Sequence, residues 1–521
     1  MSKGVARAAG IMMVAIMTSR LLGLVRERAI ADIFGRSAVT DAFFAAFSIP
    51  DLMYYLLVGG ALSAAFIPVF TEYLAKGEEE EAWEIGSSFL NLIIILLLIF
   101  TVCGIIFSPY LAPLVAYDFH GEKLELLISL MRIMFPAVFF TALAGLGTGI
   151  HYSYKQFGPP AVGPIIYNIA IIIAAYGLGR SYGIYGLAAG VVVGAIGNFL
   201  TQFSFALKRN AGYSFRIDLQ HPAVRKMFKL MLPSVFGLSI IQLNLLVTQN
   251  LASALPEGSI TALRLANRLM QLPLGVFAMA VSTAAFPTMT TQVALAQMTE
   301  LKKTVSISLR SIYYITVPAM VGLIIMSEPI VRLLYETGQF TAQDTIVTAE
   351  ALVFFSLALV SQATLQIVTR VYYSLQDTVT PVKVGLLTFF VNLGLNLMFL
   401  HYTNLEHKGL ALAFSIGSLV NMLVLVAILR KRIGGMDGGR ITRSLGKITL
   451  ATGGMTVAVL GCNSYLASIL DLSLMRARLI ETLVPIIVGI GVYFVLTVAL
   501  RMEEVQVVLE NILARLGKRK S

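Results

Sequence analysis

The chain has 521 residues, 57% of them hydrophobic and only 13% charged, and its mean hydropathy is +0.82. So few charged groups cannot cover a surface facing water, which excludes an ordinary soluble domain. The excess of 39 basic over 28 acidic residues, a net charge of +11, does not point to nucleic acid: most of the basic residues fall in short loops between long apolar runs, the pattern of membrane topology.

A helix that crosses a bilayer takes about 20 mostly apolar residues and must satisfy its own backbone hydrogen bonds, so each long apolar run reads as a span. In chain order the spans fall at 8–33, 40–74, 86–115, 124–152, 160–179, 184–207, 225–253, 260–292, 303–328, 346–374, 381–401, 409–430, 446–468 and 479–501. The fold class is therefore all-α and polytopic, with about fourteen transmembrane helices. Lys3 and Arg7 ahead of an apolar stretch resemble the start of a signal peptide. The following Ser19-Arg20-Leu21-Leu22-Gly23 offers no cleavage site, so the first span is expected to be retained.

The loops on one side carry Lys208, Arg209, Arg216, Arg225, Lys226 and Lys229, then Lys302, Lys303 and Arg310, then Arg430, Lys431, Arg432, Arg440 and Arg443. The positive-inside rule puts these loops and both termini in the cytoplasm. The acidic run Glu78 to Glu81 falls on the same side, where carboxylates weigh little. Cys103 and Cys462 lie far apart in apolar runs without a second cysteine or histidine nearby, and read as small core residues rather than a metal site or disulfide.

The chain repeats itself at an offset near 220. Gly186-Leu187-Ala188 recurs as Gly409-Leu410-Ala411, Gly194 as Gly417, Asn198 as Asn421, and Lys208-Arg209 as Lys431-Arg432. Tyr152-Ser153 and Pro160 recur as Tyr373-Ser374 and Pro381, and Ala64-Ala65-Phe66 as Ala284-Ala285-Phe286. The expected organisation is a six-span lobe over 1–215, a second over 216–435, and a two-span extension over 436–521. An even number of spans per lobe orients both lobes alike, and transporters so built hold substrate between repeats that rock against each other. A central cavity is expected, with the extension outside it bordering a lipid-open apolar groove.

Charged side chains at membrane depth cost at least about 2.5 kcal/mol on insertion scales and by default mark a watery pathway. Arg20, Arg26 and Glu27 lie in or just beyond the first span, Asp41 opens the second, and Arg264 and Arg268 sit in the eighth. Arg20 and Glu27 share a helix face, as do Arg264 and Arg268, and Gln271 extends the latter. Guanidinium groups bond phosphate oxygens in pairs, so a phosphate or diphosphate headgroup is the natural ligand. The competing reading makes Arg26, Arg28 and Arg36 interfacial snorkelers and has Arg20 neutralised by Glu27 or Asp41 within its lobe. Asp41 reads as a counter-ion for the first span before it reads as a proton carrier, and Tyr54 and Tyr55 as packing or ligand contacts alike. Pro50 and Pro68 with Gly59-Gly60 in span 2, Pro136 in span 4, and Pro273 and Pro287 in span 8 mark bends, and spans 2 and 8 read equally as symmetric bending elements or as static kinks.

The segments Ser19-Arg20-Leu21-Leu22-Gly23-Leu24-Val25-Arg26, Thr40-Asp41-Ala42-Phe43, Gly60-Ala61-Leu62-Ser63-Ala64-Ala65-Phe66-Ile67-Pro68 and Asn267-Arg268-Leu269-Met270-Gln271-Leu272-Pro273-Leu274-Gly275 resemble the MurJ/MviN family of the multidrug/oligosaccharidyl-lipid/polysaccharide exporter superfamily. The resemblance runs through spans 1 to 12 and into the two-span extension typical of that family. It implies a lipid II flippase of the bacterial cytoplasmic membrane, a transporter and not an enzyme. The undecaprenyl-diphosphate-linked disaccharide pentapeptide would place its headgroup in a cationic cavity and its tail along the last two helices. Arg20, Arg26 and Arg268 match the family's essential arginines, Asp41 its essential aspartate, and Glu27 a usual acidic position. The chain departs from the family at Pro50-Asp51-Leu52-Met53-Tyr54-Tyr55, where many members carry an arginine pair, and Arg264 is a candidate replacement. Where some relatives bind sodium through carboxylates, this chain offers Thr248, Asn392 and Asn396. No cofactor is therefore expected, with a sodium ion left as the alternative; membrane potential is the expected drive, and a monomer is the expected state.

Three other functions compete. A multidrug or cation antiporter of the same superfamily would want an acidic cavity, whereas the charges at membrane depth are mostly basic. A polysaccharide-lipid flippase is not separable by composition. A membrane-embedded glycosyl- or acyltransferase would need clustered acid/base groups or metal ligands. The five histidines His120, His151, His221, His401 and His407 are instead scattered.

Overall fold

The computed structural model describes residues 3–56, 65–207 and 212–505, and among them no strand occurs. Gly59-Gly60, most of the Gly60–Pro68 motif, and Lys208-Arg209 lie outside the described residues. The helices pack as two compact units, Met1–Thr261 with Thr337–Thr341, and Ala262–Glu336 with Ala342–Ser521.

The first unit contains α1 (Lys3–Phe34), α2 (Ala38–Ala46), α3 (Ser48–Tyr54), α4 (Ile67–Lys76), α5 (Glu79–Ile106), α6 (Ser108–Val115), α7 (Gly121–Ser153), α8 (Gly158–Tyr176), α9 (Leu178–Leu207), α10 (Pro222–Ala252) and the first turn of α11 (Ser259–Pro273). The second holds the rest of α11, a π-helical segment Leu274–Ala278, α12 (Met279–Ala294), α13 (Met298–Ile325), α14 (Ser327–Tyr335), α15 (Ala342–Ser356), α16 (Leu359–Ser374), α17 (Val379–Tyr402), α18 (Glu406–Ile433), α19 (Gly438–Ile469) and α20 (Met475–Ala499). Ten helical stretches are each long and apolar enough to cross a membrane, and α15 with α16, bent by 42°, makes an eleventh. With α1, α10 and the helices α2, α3 and α4 the about fourteen spans are accounted for, since the 32 and 31 residues of α1 and α10 reach roughly 45 Å at 1.5 Å per residue.

The repeat is written in the backbone as well as in residue identities. Left-handed turns occur at Gly35 and again at Gly258, at Gly77 and Ala296, at Lys155 and Gln376, and at Gly183 and Glu406. Each pair is separated by 219 to 223 residues, as read from these positions. A positive φ in a non-glycine residue is uncommon, so its recurrence in phase marks the same chain reversal made twice. The two halves also share a break that the apolar pattern conceals. Spans 3 and 9 read as single helices, but α5 stops at Ile106 and α6 starts at Ser108, while α13 stops at Ile325 and α14 starts at Ser327. At the first break the Ser108 hydroxyl bonds the Gly104 carbonyl at 2.6 Å and a proline opens α6, where its missing N–H is no loss.

Each unit has its own core. In the first, Phe66 and Phe70 stack at 5.0 Å, and Trp83 meets Phe70 edge-on at 5.4 Å. The Trp83 indole donates to Tyr154, whose hydroxyl donates to Glu79, so the polar tips of these buried rings are satisfied. Ala223, Val224 and Met227 of α10 join this core. In the second, Ala278, Leu301, Ile367, Val371 and Leu425 pack together, and the extension adds a satellite cluster in which Ala451, Met455 and Tyr493 lie against Met326. Ion pairs fasten the extension at both ends: Arg310 to Glu503 at 2.8 Å and Glu504 at 3.3 Å, and Arg332 to Glu481 at 3.0 Å with Arg478 to Glu336 at 3.0 Å. Cys103 is exposed on α5, not in the core. Its neighbours Val102 and Ile106 are exposed too, as on a face solvated by lipid.

Spans 2 and 8 correspond to α2–α4 and α11–α12, and both are irregular. The first has a break at Phe47 and π-helical residues at 55–56 and 65–66. The second passes from Pro273 into five π-helical residues. A π-turn strands a backbone carbonyl and is a common place for a helix to yield. Pro136, by contrast, lies inside α7, which continues through it as one helix.

Candidate functional site

In the first unit the charged residues are organised by α1. Arg26 is half-buried and gives one nitrogen to Glu27 at 2.6 Å and another to the Asn168 side chain on α8 at 3.2 Å. Asn168 is itself steadied by donating to the Pro164 carbonyl at 2.9 Å, so the guanidinium is held across two helices. Arg20 lies nearly two turns earlier on α1, also half-buried. Arg36, beyond the end of α1, reaches the Glu257 carbonyl at 2.7 Å.

Asp41 does not serve as a counter-ion for α1. It is 2% exposed and accepts from Gly258 N at 2.7 Å, Thr261 N at 2.8 Å and the Thr261 hydroxyl at 2.7 Å. It therefore caps the first turn of α11, whose backbone N–H groups have no partners within the helix. Lys123 stands 4.0 Å away and lies over the Phe119 ring at 4.1 Å. All three donors belong to the first unit, and Gly258, with φ of +82°, supplies the left-handed turn that aims the chain at the carboxylate.

In the second unit α11 is amphipathic although it lies at membrane depth. Ala262, Leu263, Leu265, Ala266, Leu269 and Met270 are buried. Arg264, Asn267, Arg268 and Gln271 line the other face, and Gln271 donates to Asn267 along it. A polar stripe of this kind is not tolerated against lipid tails, so it faces protein or water. Two forked cations one turn apart are suited to a phosphate. On α17, Asn396 donates to Asn392 at 2.8 Å, and both are buried.

Two residues escape the sequence reading, Asn168 and Lys123, the partners of Arg26 and Asp41. Asp51, read there only as part of a departure from the family, lines a cavity within the first unit. The available signal was a polar residue inside an apolar helix; the partner it chooses depends on which way neighbouring helices face.

The family model described as lipid II flippase MurJ matches residues 30–479. The chain is 30% identical over 500 residues to the probable lipid II flippase MurJ of Bdellovibrio bacteriovorus, covering 95% of each. It is 31% identical over 424 residues to the lipid II flippase MurJ of Burkholderia cenocepacia, covering 80% of this chain and 82% of that one. Among solved structures, a lipid II flippase MurJ in an inward closed conformation superposes with a TM-score of 0.79 at 26% identity, covering 94% of this chain and 98% of that one. An inward-facing multidrug transporter of the MATE family shares the fold at 16% identity, with a TM-score of 0.68 over 82% of this chain and 98% of that one.

Proposed function

We propose a function from one premise: this chain belongs to the lipid II flippase MurJ family, whose model and relatives span most of its length. It is a multi-pass protein of the bacterial inner membrane and a transporter, not an enzyme. It carries lipid II from the inner to the outer leaflet by alternating access.

The observation that carries the reading at the level of residues is the polar stripe of α11, with Arg264 and Arg268 one turn apart on a face where lipid would demand apolar groups. We assign these two arginines, with Arg20 and Arg26 of α1, to the diphosphate of the headgroup. Glu27 holds Arg26 in place, and Asp41 sets the start of α11. The lipid-facing extension α19–α20 takes the polyprenyl tail, both termini are cytoplasmic, membrane potential is the drive, and the working unit is a monomer. An antiporter for cationic drugs would place acids, not guanidinium groups, along this stripe.

The test is depletion of the protein in its native bacterium, followed by identification of the lipid-linked intermediate that builds up in the inner leaflet. Lipid II is the expected species. A polysaccharide carrier in its place would move the assignment to that class of flippase, and no accumulation would remove the flippase reading.

A further inference from the structure

The third span reads from residue 86, yet Ser87, Ser88 and Asn91 put three polar groups on one side of its first two turns. All three are buried, and their partners are backbone groups of the loop between α9 and α10. Ser87 Oγ accepts from Ser214 N at 3.1 Å and Ser88 Oγ from Asp218 N at 3.2 Å. The Asn91 amide donates to the carbonyls of Ser214 and Arg216, both at 2.9 Å, and accepts from the Tyr213 hydroxyl. Arg216 adds an ion pair to Glu84 at 3.0 Å. Residues 213–218, which are not helical, therefore lie along α5 as a strap that satisfies polar groups acyl chains would leave unmet.

Which flank of α5 the strap covers follows from the helix period. Eleven residues make about three turns, and eleven residues on from Ser87, Ser88 and Asn91 stand Leu98, Ile99 and Val102. These three are exposed, so at membrane depth that flank meets lipid. Glu84 is the last charged residue of α5, and the strap's contacts fall roughly 5–10 Å beyond it at 1.5 Å per residue. That is the depth to which interfacial segments bury an apolar face. The strap has such a face: side chains of an extended chain alternate, and at every second position Tyr213, Phe215, Ile217 and Leu219 are exposed, Phe215 at 83%.

We infer that the strap is an interfacial anchor, pinned to α5 by Ser87, Ser88 and Asn91, with Phe215 and Ile217 inserted among the phospholipids of the leaflet on its side of the membrane. The loop between the sixth and seventh spans is thus part of the lipid-facing surface and not a connection through water.

The experiment uses the purified full chain in liposomes of phosphatidylethanolamine and phosphatidylglycerol with no lipid II, so its outcome does not depend on the flippase reading. With Cys103 and Cys462 replaced by alanine, a nitroxide label is placed in turn at Phe215→Cys and Ile217→Cys, at Leu98→Cys as the lipid reference and at Glu80→Cys as the water reference. Power saturation of the electron spin resonance signal then reads collisions with oxygen, which partitions into lipid, and with a water-soluble nickel chelate. The ratio of oxygen to nickel access at 215 and 217 is expected to lie severalfold above that at Glu80 and below that at Leu98. Thermal unfolding checks each variant; Phe215 has little packing to lose, and its label alone decides should Ile217→Cys not fold. A ratio at Phe215 equal to that at Glu80 overturns the inference, and would make this face a surface for another protein.

Discussion

The two halves of this chain make the same turns with different chemistry. At an offset of 220, Asp51 on α3 corresponds to Gln271 on α11, and Ser48 corresponds to Arg268. The first half therefore carries an acid lining a cavity where the second carries one end of a cationic stripe. His151 meets the backbone carbonyl of Gln202 at 3.1 Å, and Tyr372, its counterpart, donates to that of Leu425 at 2.9 Å. One contact between the fourth and sixth helices of each half is thus kept with two unrelated side chains. The comparison teaches that a duplicated scaffold is held by backbone geometry and buried contacts, which leaves side chains at membrane depth free to diverge in charge.

The sharpest way to break this division of labour is at the arginines. Arg268→Ala and Arg20→Ala are each expected to abolish flipping in a cell-based assay while the protein still inserts. Binding of lipid II to purified variants should fall roughly tenfold to a hundredfold, the loss of about 1.5–3 kcal/mol for a charge-assisted bond. Lysine should restore it only in part, for want of the fork. Unchanged binding and flipping in both alanine variants would reduce these residues to structural counter-ions.

The next contrast is between two helix caps. Ser37 caps α2 from the adjoining residue, accepting from Thr40 N at 3.3 Å, whereas α11 is capped by Asp41, more than two hundred residues away. Asp41→Ala leaves buried donors of α11 unmet and should cost about 3 kcal/mol; Ser37→Ala should cost about 1 kcal/mol. Thermal unfolding of the two variants in detergent measures the difference, and equal losses would contradict the long-range cap.

Helix packing in the two halves can be compared at one pair of glycines. A Cβ on Gly194 would stand 3.0 Å from the Tyr167 carbonyl oxygen, which is backbone and cannot swing aside, while on Gly417 it would meet the Asn392 side chain at 3.4 Å. Gly194→Ala is expected to destabilise by about 2 kcal/mol. Gly417→Ala should be near neutral, since alanine's better helix propensity, worth about 1 kcal/mol, offsets the tighter contact.

The smallest expected effect lies in the loops that follow spans 4 and 10. Asp377 stands where the first half has Gln156. Burial alone would raise its pKa, but the Thr380 hydroxyl and amide and the Arg432 guanidinium together hold it down to about 2. A carboxylate with a depressed folded pKa contributes stability that is present above its unfolded value near 3.8 and is lost as pH falls toward 2. Unfolding followed from pH 5 to pH 2 should therefore show a loss that Asp377→Asn lacks. Identical slopes would remove this loop from the acid response.

Much of the molecule is legible in one dimension. Spans, repeat and the irregularity of spans 2 and 8 can be read because hydropathy, glycine and proline act locally. Pro136 shows where local reading fails. Its helix stays whole, while α15 and α16 break at the corresponding Leu357-Ala358 with no proline in them. There Ala358 N turns back to the Phe355 carbonyl at 3.0 Å and the Ser356 hydroxyl bonds the Leu352 carbonyl at 2.6 Å. A missing N–H weakens a helix, but packing on every side decides whether the helix yields.

The sequence by itself determined that this chain lives in lipid, that it is two copies of one helical plan with a two-helix extension, and that arginines stand where lipid would forbid them. These follow from transfer energies and periodicity, which each residue carries wherever it is placed. Only the tertiary structure decided that Asp41 caps α11 and is not a counter-ion for α1, that Arg26 leans on Asn168, and that Asp51 lines a cavity with Asn198. Those outcomes depend on the rotation of each helix about its own axis, and residues far apart along the chain set that rotation when their side chains compete for the same space.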